Sequence, residues 1–266
     1  MYLHTERHGS TLIWQLDRPE SLNALGPTMG HTIKIEVDRI VTDCDAWKSD
    51  PESLSPPCRL LVIKAKPVSN KRGRTPIWIA GGDLKELNNL KTPEEGRAYA
   101  SLFADICAKI ASLPIPSLAY IDGLVIGGGA ELALATDFRI ATERSEFHWK
   151  QLSVGLSTGY ASCQRLLDLI GLARSTELML LCKNLKASEA LRLGLVNECV
   201  EDTSALDHRL AQLAQHFEAL SPLAVAAQKK MLNLRTANTL VTDQELDIFA
   251  SLWMKDAHKQ FLKTFF

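Results

Sequence analysis

The stretch between residues 117 and 142 constrains the fold more than any other part of the sequence. An apolar strand pattern, SLAYID, leads into GLVIGGGAELALAT, whose second half has the composition of a short buried helix, and then into a second strand pattern, FRIAT. The order strand, glycine loop, helix and strand is typical of an α/β protein with a mostly parallel sheet. Functional loops of such sheets lie at the carboxyl ends of the strands, so we expect a site near the triple glycine.

Strands and helices alternate before this stretch, and helices dominate after it. Strands are predicted at residues 11–16 and 59–65, with about ten residues before the first, and the capping box TPEE at 92–95 predicts the start of a long helix. A later strand is predicted at residues 195–200. The later helices are predicted near residues 162–170, 174–181, 188–193, 203–219, 222–235 and 243–265. We therefore expect an α/β core over residues 1–200 and a helical region over residues 201–266.

The composition narrows the function classes. With 266 residues, 46% of them hydrophobic and 23% charged, the chain is long enough to bury a large core. Its net charge of −1 provides no field that would attract nucleic acid or an anionic membrane. The six cysteines have no metal-ligand spacing, and no apolar run has the length of a membrane span or the position of a signal peptide. We expect reduced thiols, no metal ion, a cytoplasmic location and neither nucleic-acid nor membrane partners.

Two glycine-rich loops carry the chemical signal. IAGGDL at residues 79–84 and IGGGAEL at residues 126–132 each combine a backbone that a ligand can approach closely with an acidic residue. Two such loops can bind one oxygen atom from two sides, which is the geometry of an oxyanion hole. Glu131 follows Gly128 by three residues, so on a helix that starts at the triple glycine its carboxylate lies about one turn from the Gly128 amide.

Other interpretations of these residues remain open at this stage. A dinucleotide-binding fingerprint does not fit, because Leu132 stands where a third small residue is required. The glycines also fit a role in helix packing, and Glu131 also fits that of a structural carboxylate. Asp83 is predicted to cap the helix that it opens. The basic loop that contains Lys66, Lys71, Arg72 and Arg74 fits either a phosphate contact or a solvated hairpin.

Four segments together resemble the crotonase superfamily, the enoyl-CoA hydratase and isomerase family, over nearly the whole chain. They are LDRPESLNAL, IAGGDLKEL, DGLVIGGGAELALATDFRIAT and LIGLARSTELMLLCKNLKASEALRLGLVNECV. The resemblance implies a β-β-α spiral core with a helical C-terminal trimerisation region, assembled as a homotrimer or homohexamer. It also implies an acyl-CoA thioester as substrate, with no separate cofactor.

The resemblance assigns roles to individual residues. It places the oxyanion amides at Gly82 and Gly128 and the first catalytic glutamate at Glu131. The second catalytic glutamate of the hydratases aligns with Gln151. The implied coenzyme A contacts fall on Ser21, Leu22, Ala80 and Lys85.

Departures from the family pattern keep the reaction open. Glutamine can hold a water molecule but cannot exchange a proton at neutral pH, so Gln151 cannot replace a glutamate as an acid or base. The following loop, GLSTGYASCQRL, has Thr158, Ala161 and Ser162 where the family pattern is rich in proline and glycine. We expect an enoyl-CoA hydratase or isomerase with Glu131 as its acid/base, and solvent or a neighbour such as His148 as a second proton source. The alternatives are an acyl-CoA decarboxylase, an isomerase, a thioester hydrolase, and an acyl-CoA binding protein that has lost catalysis.

Overall fold

Two β-sheets and the helices around them make up the fold. The computed structural model describes residues 2–69, 75–233, 246–247, 249–250, 253, 259 and 262–264. The strands are β1 (Leu3–His8), β2 (Thr11–Leu16), β3 (Leu60–Ala65), β4 (Ile77–Ile79), β5 (Ser117–Ile121), β6 (Leu124–Ile126), β7 (Phe138–Thr142), β8 (Glu146–His148), β9 (Asn184–Lys186) and β10 (Glu198–Val200). The helices are α1 (Pro27–Ser49), α2 (Leu84–Leu87), α3 (Pro93–Ser112), α4 (Gly128–Ala133), α5 (Ser162–Leu180), α6 (Ala187–Leu193), α7 (Thr203–Ala219) and α8 (Pro222–Asn233). The predicted α/β fold is confirmed.

The larger sheet has the strand order β1-β2-β3-β5-β7-β10. Every neighbouring pair from β2 to β10 is parallel, and the runs of buried residues in β3 and β5 follow from coverage of both faces. Strand β1 pairs with β2 in the antiparallel direction. The expectation that the first strand begins at residue 11 was therefore wrong. Strand β1 lies at the sheet edge and only Leu3 in it is buried, so its sequence lacks the apolar pattern of a core strand.

The smaller sheet has the strand order β4-β6-β8-β9 and was not predicted. Strands β4, β6 and β8 are parallel, and each has only three residues, too few to show a periodic pattern. Parallel strands end at the same edge of a sheet. The two glycine loops, which follow β4 and β6, therefore lie beside the loop after β8, which contains Gln151.

Local sequence signals explain several helix boundaries. Helix α3 begins with the predicted capping box, in which Thr92 accepts from the amide of Glu95 and the Glu95 carboxylate accepts from the amide of Thr92. Helix α5 contains a break at Gly171, where φ is 75°, and the break agrees with the two helices predicted there. The strand expected at residues 195–200 is shorter and comprises only β10.

The C-terminal helices pack against the core. From α7, Leu206, Leu213 and Phe217 form a buried cluster with side chains of the larger sheet, among them Val62 and Ile140. From α8, Lys229 donates hydrogen bonds to the Asp137 carboxylate at 2.5 Å and to the Ile115 carbonyl at 2.8 Å. The helix predicted at residues 243–265 lies mostly outside the described residues. The division at residue 200 stays a prediction.

Candidate functional site

The two glycine loops touch each other at the edge of the smaller sheet. Gly81 has a φ of 89°, and a methyl group built on it would lie 2.9 Å from the Ile126 carbonyl oxygen and 3.5 Å from the Gly128 nitrogen. Gly127 has a φ of 50°. Because L-amino acids with side chains rarely adopt these φ values, glycine is needed at both positions for the loops to approach this closely.

The amides of Gly82 and Gly128 are available to a ligand. Gly128 is the first residue of α4, so its N–H has no intrahelical acceptor. Among the residues that the structure describes, none accepts a hydrogen bond from the amide of Gly82 or Gly128. Both glycines line one cavity. An oxyanion hole requires two such unoccupied donors beside one oxygen atom.

The cavity has a volume of about 310 Å³ and combines apolar walls with a few polar groups. Its apolar walls include Leu84, Leu87, Val154, Leu156 and Phe249, and its polar residues are Glu131, Gln151, Lys150, Ser153, Ser157, Tyr99 and Tyr160. A mostly apolar cavity with few convergent polar groups is typical of a small-molecule site.

Glu131 lies in the first turn of α4 and is only 2% exposed. Its Oε2 accepts hydrogen bonds from the amides of Gly159 and Tyr160 at 3.0 and 2.9 Å and from the Ser162 hydroxyl at 2.8 Å. These donors match an ionised carboxylate, which can only accept. They also fix its rotamer, so that the carboxylate has one orientation in the cavity wall.

Gln151 contacts Glu131 directly. Its Nε2 donates to Glu131 Oε1 at 2.9 Å, so the amide oxygen is the other functional end of the side chain. An amide oxygen can accept a hydrogen bond from a water molecule or from a substrate hydroxyl. The structure thus brings together four of the predicted site residues, Gly82, Gly128, Glu131 and Gln151, around one cavity.

The residues expected to contact coenzyme A divide into two groups. Ala80 lines the cavity, and its amide donates to the Leu22 carbonyl at 3.2 Å. Ser21, Leu22 and Lys85 do not line the described part of the cavity, and Lys85 is exposed. The loop that contains Ser21 and Leu22 therefore adjoins the site through backbone contacts.

An ion pair joins this loop to the first glycine loop. Asp83 caps α2 as predicted, accepting from the amides of Lys85 and Glu86, and its carboxylate lies 2.7 Å from Arg18 Nη1. Burial alone lowers the pKa of Arg18, but the nearby carboxylates of Asp83 and Glu86 outweigh it and raise the pKa. Arg18 therefore stays charged and holds the two loops together.

Two buried tyrosines were missed as site residues. Tyr99 on α3 and Tyr160 before α5 both line the cavity, and their hydroxyls are hydrogen-bonded to each other. Burial raises the pKa of both phenols above the usual value, so they stay neutral. Tyr99 is one of the apolar residues that recur at helical spacing in α3, and that periodicity predicts only packing in the core. Only the tertiary structure shows that Tyr99 also lines the cavity and contacts Tyr160 there.

Two other predictions from the sequence concern His148 as a proton source and the basic loop that contains Lys66. His148 does not line the described part of the cavity, and its Nε2 lies 2.9 Å from Glu146 Oε2, so the structure does not place it as a proton source. Lys66 pairs with Asp17 at 3.0 Å, which is a structural contact. The other basic residues of that loop, Lys71, Arg72 and Arg74, lie outside the described residues.

The described residues contain neither a metal-ligand cluster nor a membrane-spanning helix. No group of three or more histidine, cysteine, aspartate or glutamate side chains there is arranged to hold a metal ion. None of the helices in that part of the chain has both the length and the apolar character needed to cross a membrane.

Known proteins similar to this chain belong to one family. Residues 72–266 match the family model described as enoyl-CoA hydratase/isomerase. The chain is 29% identical to the short-chain-enoyl-CoA hydratase of Clostridium acetobutylicum over 97% of its own length and 93% of that protein. It is 33% identical to an enoyl-CoA isomerase/hydratase of Mycosarcoma maydis over 82% and 75% of the respective chains. The crystal structure of an enoyl-CoA hydratase from Bacillus halodurans has a TM-score of 0.83, 24% identity and coverage of 99% and 100%, which shows the shared fold.

Proposed function

Because the chain belongs to the enoyl-CoA hydratase/isomerase family, we propose that it acts on an acyl-CoA thioester through an enolate that the amides of Gly82 and Gly128 stabilise. The observation that carries the proposal is the pair of available amides, on two touching loops, in the same cavity wall as a fixed glutamate. Ser21, Leu22, Ala80 and Lys85 are the proposed coenzyme A contacts. No separate cofactor is required.

The proposed reactions share one feature, the development of negative charge on the thioester oxygen. Addition of water to an enoyl thioester, or a proton shift along the acyl chain, moves charge onto the thioester oxygen. Two preorganised N–H donors stabilise that charge, and each such donor is typically worth about 10²–10³ in rate. The mostly apolar cavity wall lowers the local dielectric, which strengthens both interactions.

Glu131 is the proposed acid/base. In hydration it takes a proton from the attacking water, and in isomerisation it moves a proton between carbon atoms of the acyl chain. Gln151 holds Glu131 Oε1 and accepts from the water or the substrate through its own amide oxygen. The α-carbon then takes its proton from solvent, since Gln151 cannot supply it, and Glu131 releases the proton of the attacking water to solvent.

A loss of enoyl-thioester absorbance with crotonyl-CoA tests hydration. We expect turnover by the wild type and a loss of about 10²–10⁴-fold in Glu131→Gln, which removes the base and preserves the size of the side chain. A melting temperature measured for both proteins separates loss of catalysis from loss of folding. Wild-type turnover no faster than that of the variant would contradict the hydratase proposal.

Gln151, which stands in place of a second glutamate, favours reactions that need only one proton-exchanging carboxylate. Isomerisation needs one proton-exchanging group, and decarboxylation needs only the stabilised enolate, so both are compatible with Glu131 as the single retained carboxylate. Thioester hydrolysis and acyl-CoA binding without turnover complete the alternatives. Mass spectrometry after incubation with a panel of acyl-CoAs distinguishes them by a shifted double bond, loss of CO₂, free coenzyme A, or no product with a raised melting temperature.

We also propose that the protein assembles as a homotrimer or homohexamer. The support is three exposed apolar side chains in the second half of α5 and directly after it: Leu172, Leu180 and Leu181 are 72%, 64% and 67% exposed. A second subunit that covered such side chains would remove their apolar surface from water. Sedimentation velocity tests the proposal, and a monomer at micromolar concentration would contradict it.

A further inference from the structure

Tyr99 and Tyr160 form a hydroxyl pair with a defined proton direction. The Tyr99 hydroxyl donates to the Leu25 carbonyl at 2.9 Å. A carbonyl oxygen only accepts and a phenol has one proton, so the bond between the two hydroxyls runs from Tyr160 to Tyr99. The chain of donors is therefore Tyr160 to Tyr99 to Leu25, and the Tyr160 hydroxyl oxygen accepts no hydrogen bond from the residues that the structure describes.

The pair lies against both proposed amide donors. A methyl group built on Gly128 would meet Tyr160 Cε2 at 2.7 Å and its Oη at 2.9 Å. A methyl group built on Gly82 would meet Tyr99 Oη at 3.3 Å. Each tyrosine thus packs against one of the two glycines, and Leu87 Cδ1 also packs against Gly82, 2.8 Å from the same methyl position.

Backbone contacts extend this support to the rest of the site. The Tyr160 amide donates to Glu131 Oε2 at 2.9 Å. At the other end, Leu25 donates its amide to the Gly81 carbonyl at 2.6 Å and accepts from the Asp83 amide at 3.3 Å. A continuous path of contacts therefore runs from Glu131, through the two hydroxyls, to the loop on both sides of Gly82.

The pair is buried, closely packed and uncharged. Both phenols are at most 5% exposed, and an aromatic cluster surrounds them, with Phe103 stacked on Tyr160 at a centroid distance of 4.6 Å. Two neutral hydroxyls beside a buried carboxylate add no charge that would compete with the enolate.

We propose that Tyr160 and Tyr99 are positioning residues whose shared hydrogen bond sets the placement of the Gly82 and Gly128 amides relative to Glu131. The inference rests on the proposed function, since it assigns a cause to the geometry of that site. A small displacement of a reacting group is enough to slow a reaction severely, by up to about 10² for 1 Å. The pair matters to the transition state more than to substrate binding, because the donors must meet the enolate oxygen and not only the ground-state carbonyl.

Tyr160→Phe and Tyr99→Phe remove one hydroxyl each and preserve the rings. We expect kcat for crotonyl-CoA hydration to fall about tenfold in either variant while KM stays within about twofold. The reason is that the variants lose stabilisation of the transition state and not binding of the substrate. The double variant should lose no more than the worse single one, since both changes break the same hydrogen bond. If one variant does not fold, the other still tests that bond.

Tyr120→Phe is the matched control. Tyr120 is a buried tyrosine on β5 whose hydroxyl donates to Asp207 at 2.7 Å, away from the cavity. The Tyr120→Phe change should lower the melting temperature about as much as the Tyr160→Phe and Tyr99→Phe changes do and leave kcat unchanged. A fall in kcat that follows melting temperature across all three variants would assign the pair a purely structural role and overturn the inference.

A second readout does not need turnover. Acetoacetyl-CoA forms an enolate that absorbs in the near ultraviolet, and an oxyanion hole favours that enolate over the neutral form. We expect the wild type to produce the enolate band and the two site variants to bind the same compound with about a tenfold lower enolate-to-neutral ratio. Site variants that equal the wild type in both kcat and enolate ratio would overturn the inference alone. A wild type with neither turnover nor enolate band would overturn the proposed function and the inference with it.

Discussion

Four hydrogen bonds to the Glu131 carboxylate come from residues that lie 20 to 31 positions away in the sequence. Its position in the first turn of a helix that begins at Gly128 depends on local sequence and was predicted. Its donors belong to a loop and a helix start that only the tertiary structure brings near. The serine substitution at Ser162, seen in the sequence as a departure from the family pattern, supplies one of these donors.

Gln151→Glu tests whether the missing carboxylate limits hydration. The new carboxylate replaces an amide that lies 2.9 Å from Glu131, and two carboxyl groups so close cannot both be ionised. The protonated member is then available as the second acid. We expect kcat for crotonyl-CoA hydration to rise about tenfold or more, measured beside Gln151→Met as the variant that cannot exchange a proton. An unchanged or lower kcat would show that another step limits the reaction.

Whole elements differ in how much of their structure their own residues specify. Helix α3 has a capping box, a proline in its first turn and apolar residues at helical spacing, so the sequence predicted its start. Strands β4, β6 and β8 have three residues each and gain their hydrogen bonds from one another. Short strands of this kind form only when the rest of the fold aligns them, and the sequence did not predict them.

Thr92→Ala tests the local contribution to helix α3. The change removes the acceptor for the Glu95 amide, and we expect a loss of about 1 kcal/mol in the free energy of unfolding, which corresponds to about 2 °C in melting temperature. Thr42→Ala is the control, because Thr42 is exposed inside α1 and alanine is the better helix former there. Thr42→Ala should be neutral or stabilising. Equal losses in the two variants would contradict a capping role for Thr92.

At the scale of the whole molecule, single buried polar groups connect distant segments. Asp122 at the end of β5 accepts from Arg144 at 2.6 and 2.5 Å, from Thr142 at 2.9 Å and from Thr203 at 2.9 Å. It therefore joins the larger sheet to the turn after β7 and to the start of α7. Burial alone raises the pKa of Asp122, but the hydrogen bonds from its three partners outweigh it and hold the pKa below the usual value.

Asp122→Asn should change how stability depends on pH. A carboxyl group whose pKa is lower in the folded than in the unfolded chain stabilises the protein above the unfolded pKa of about 4, and the effect is lost as the pH falls through the folded pKa. We expect the variant to be less stable than the wild type by about 1–2 kcal/mol at pH 7, and the difference to shrink below about pH 4. Urea unfolding at a series of pH values measures it. A difference that is constant across this range would contradict a role for the ionised carboxylate.

By itself the sequence determined the features that depend on near neighbours. These are the parallel core strands, the helix that starts at Gly128 with Glu131 in its first turn, the caps at Asp83 and Thr92, and the break at Gly171. Propensity, capping and periodicity operate over a few residues, so a single chain read in order contains them.

Only the tertiary structure decided which distant residues meet. It placed Gly81 against Gly128, turned Gln151 toward Glu131, joined the hydroxyls of Tyr99 and Tyr160 and left His148 away from the described part of the cavity. These contacts depend on how two sheets and their helices pack, and packing couples the whole chain at once. A residue's neighbours across the cavity are therefore fixed by the fold as a whole, and no local pattern in the sequence specifies them.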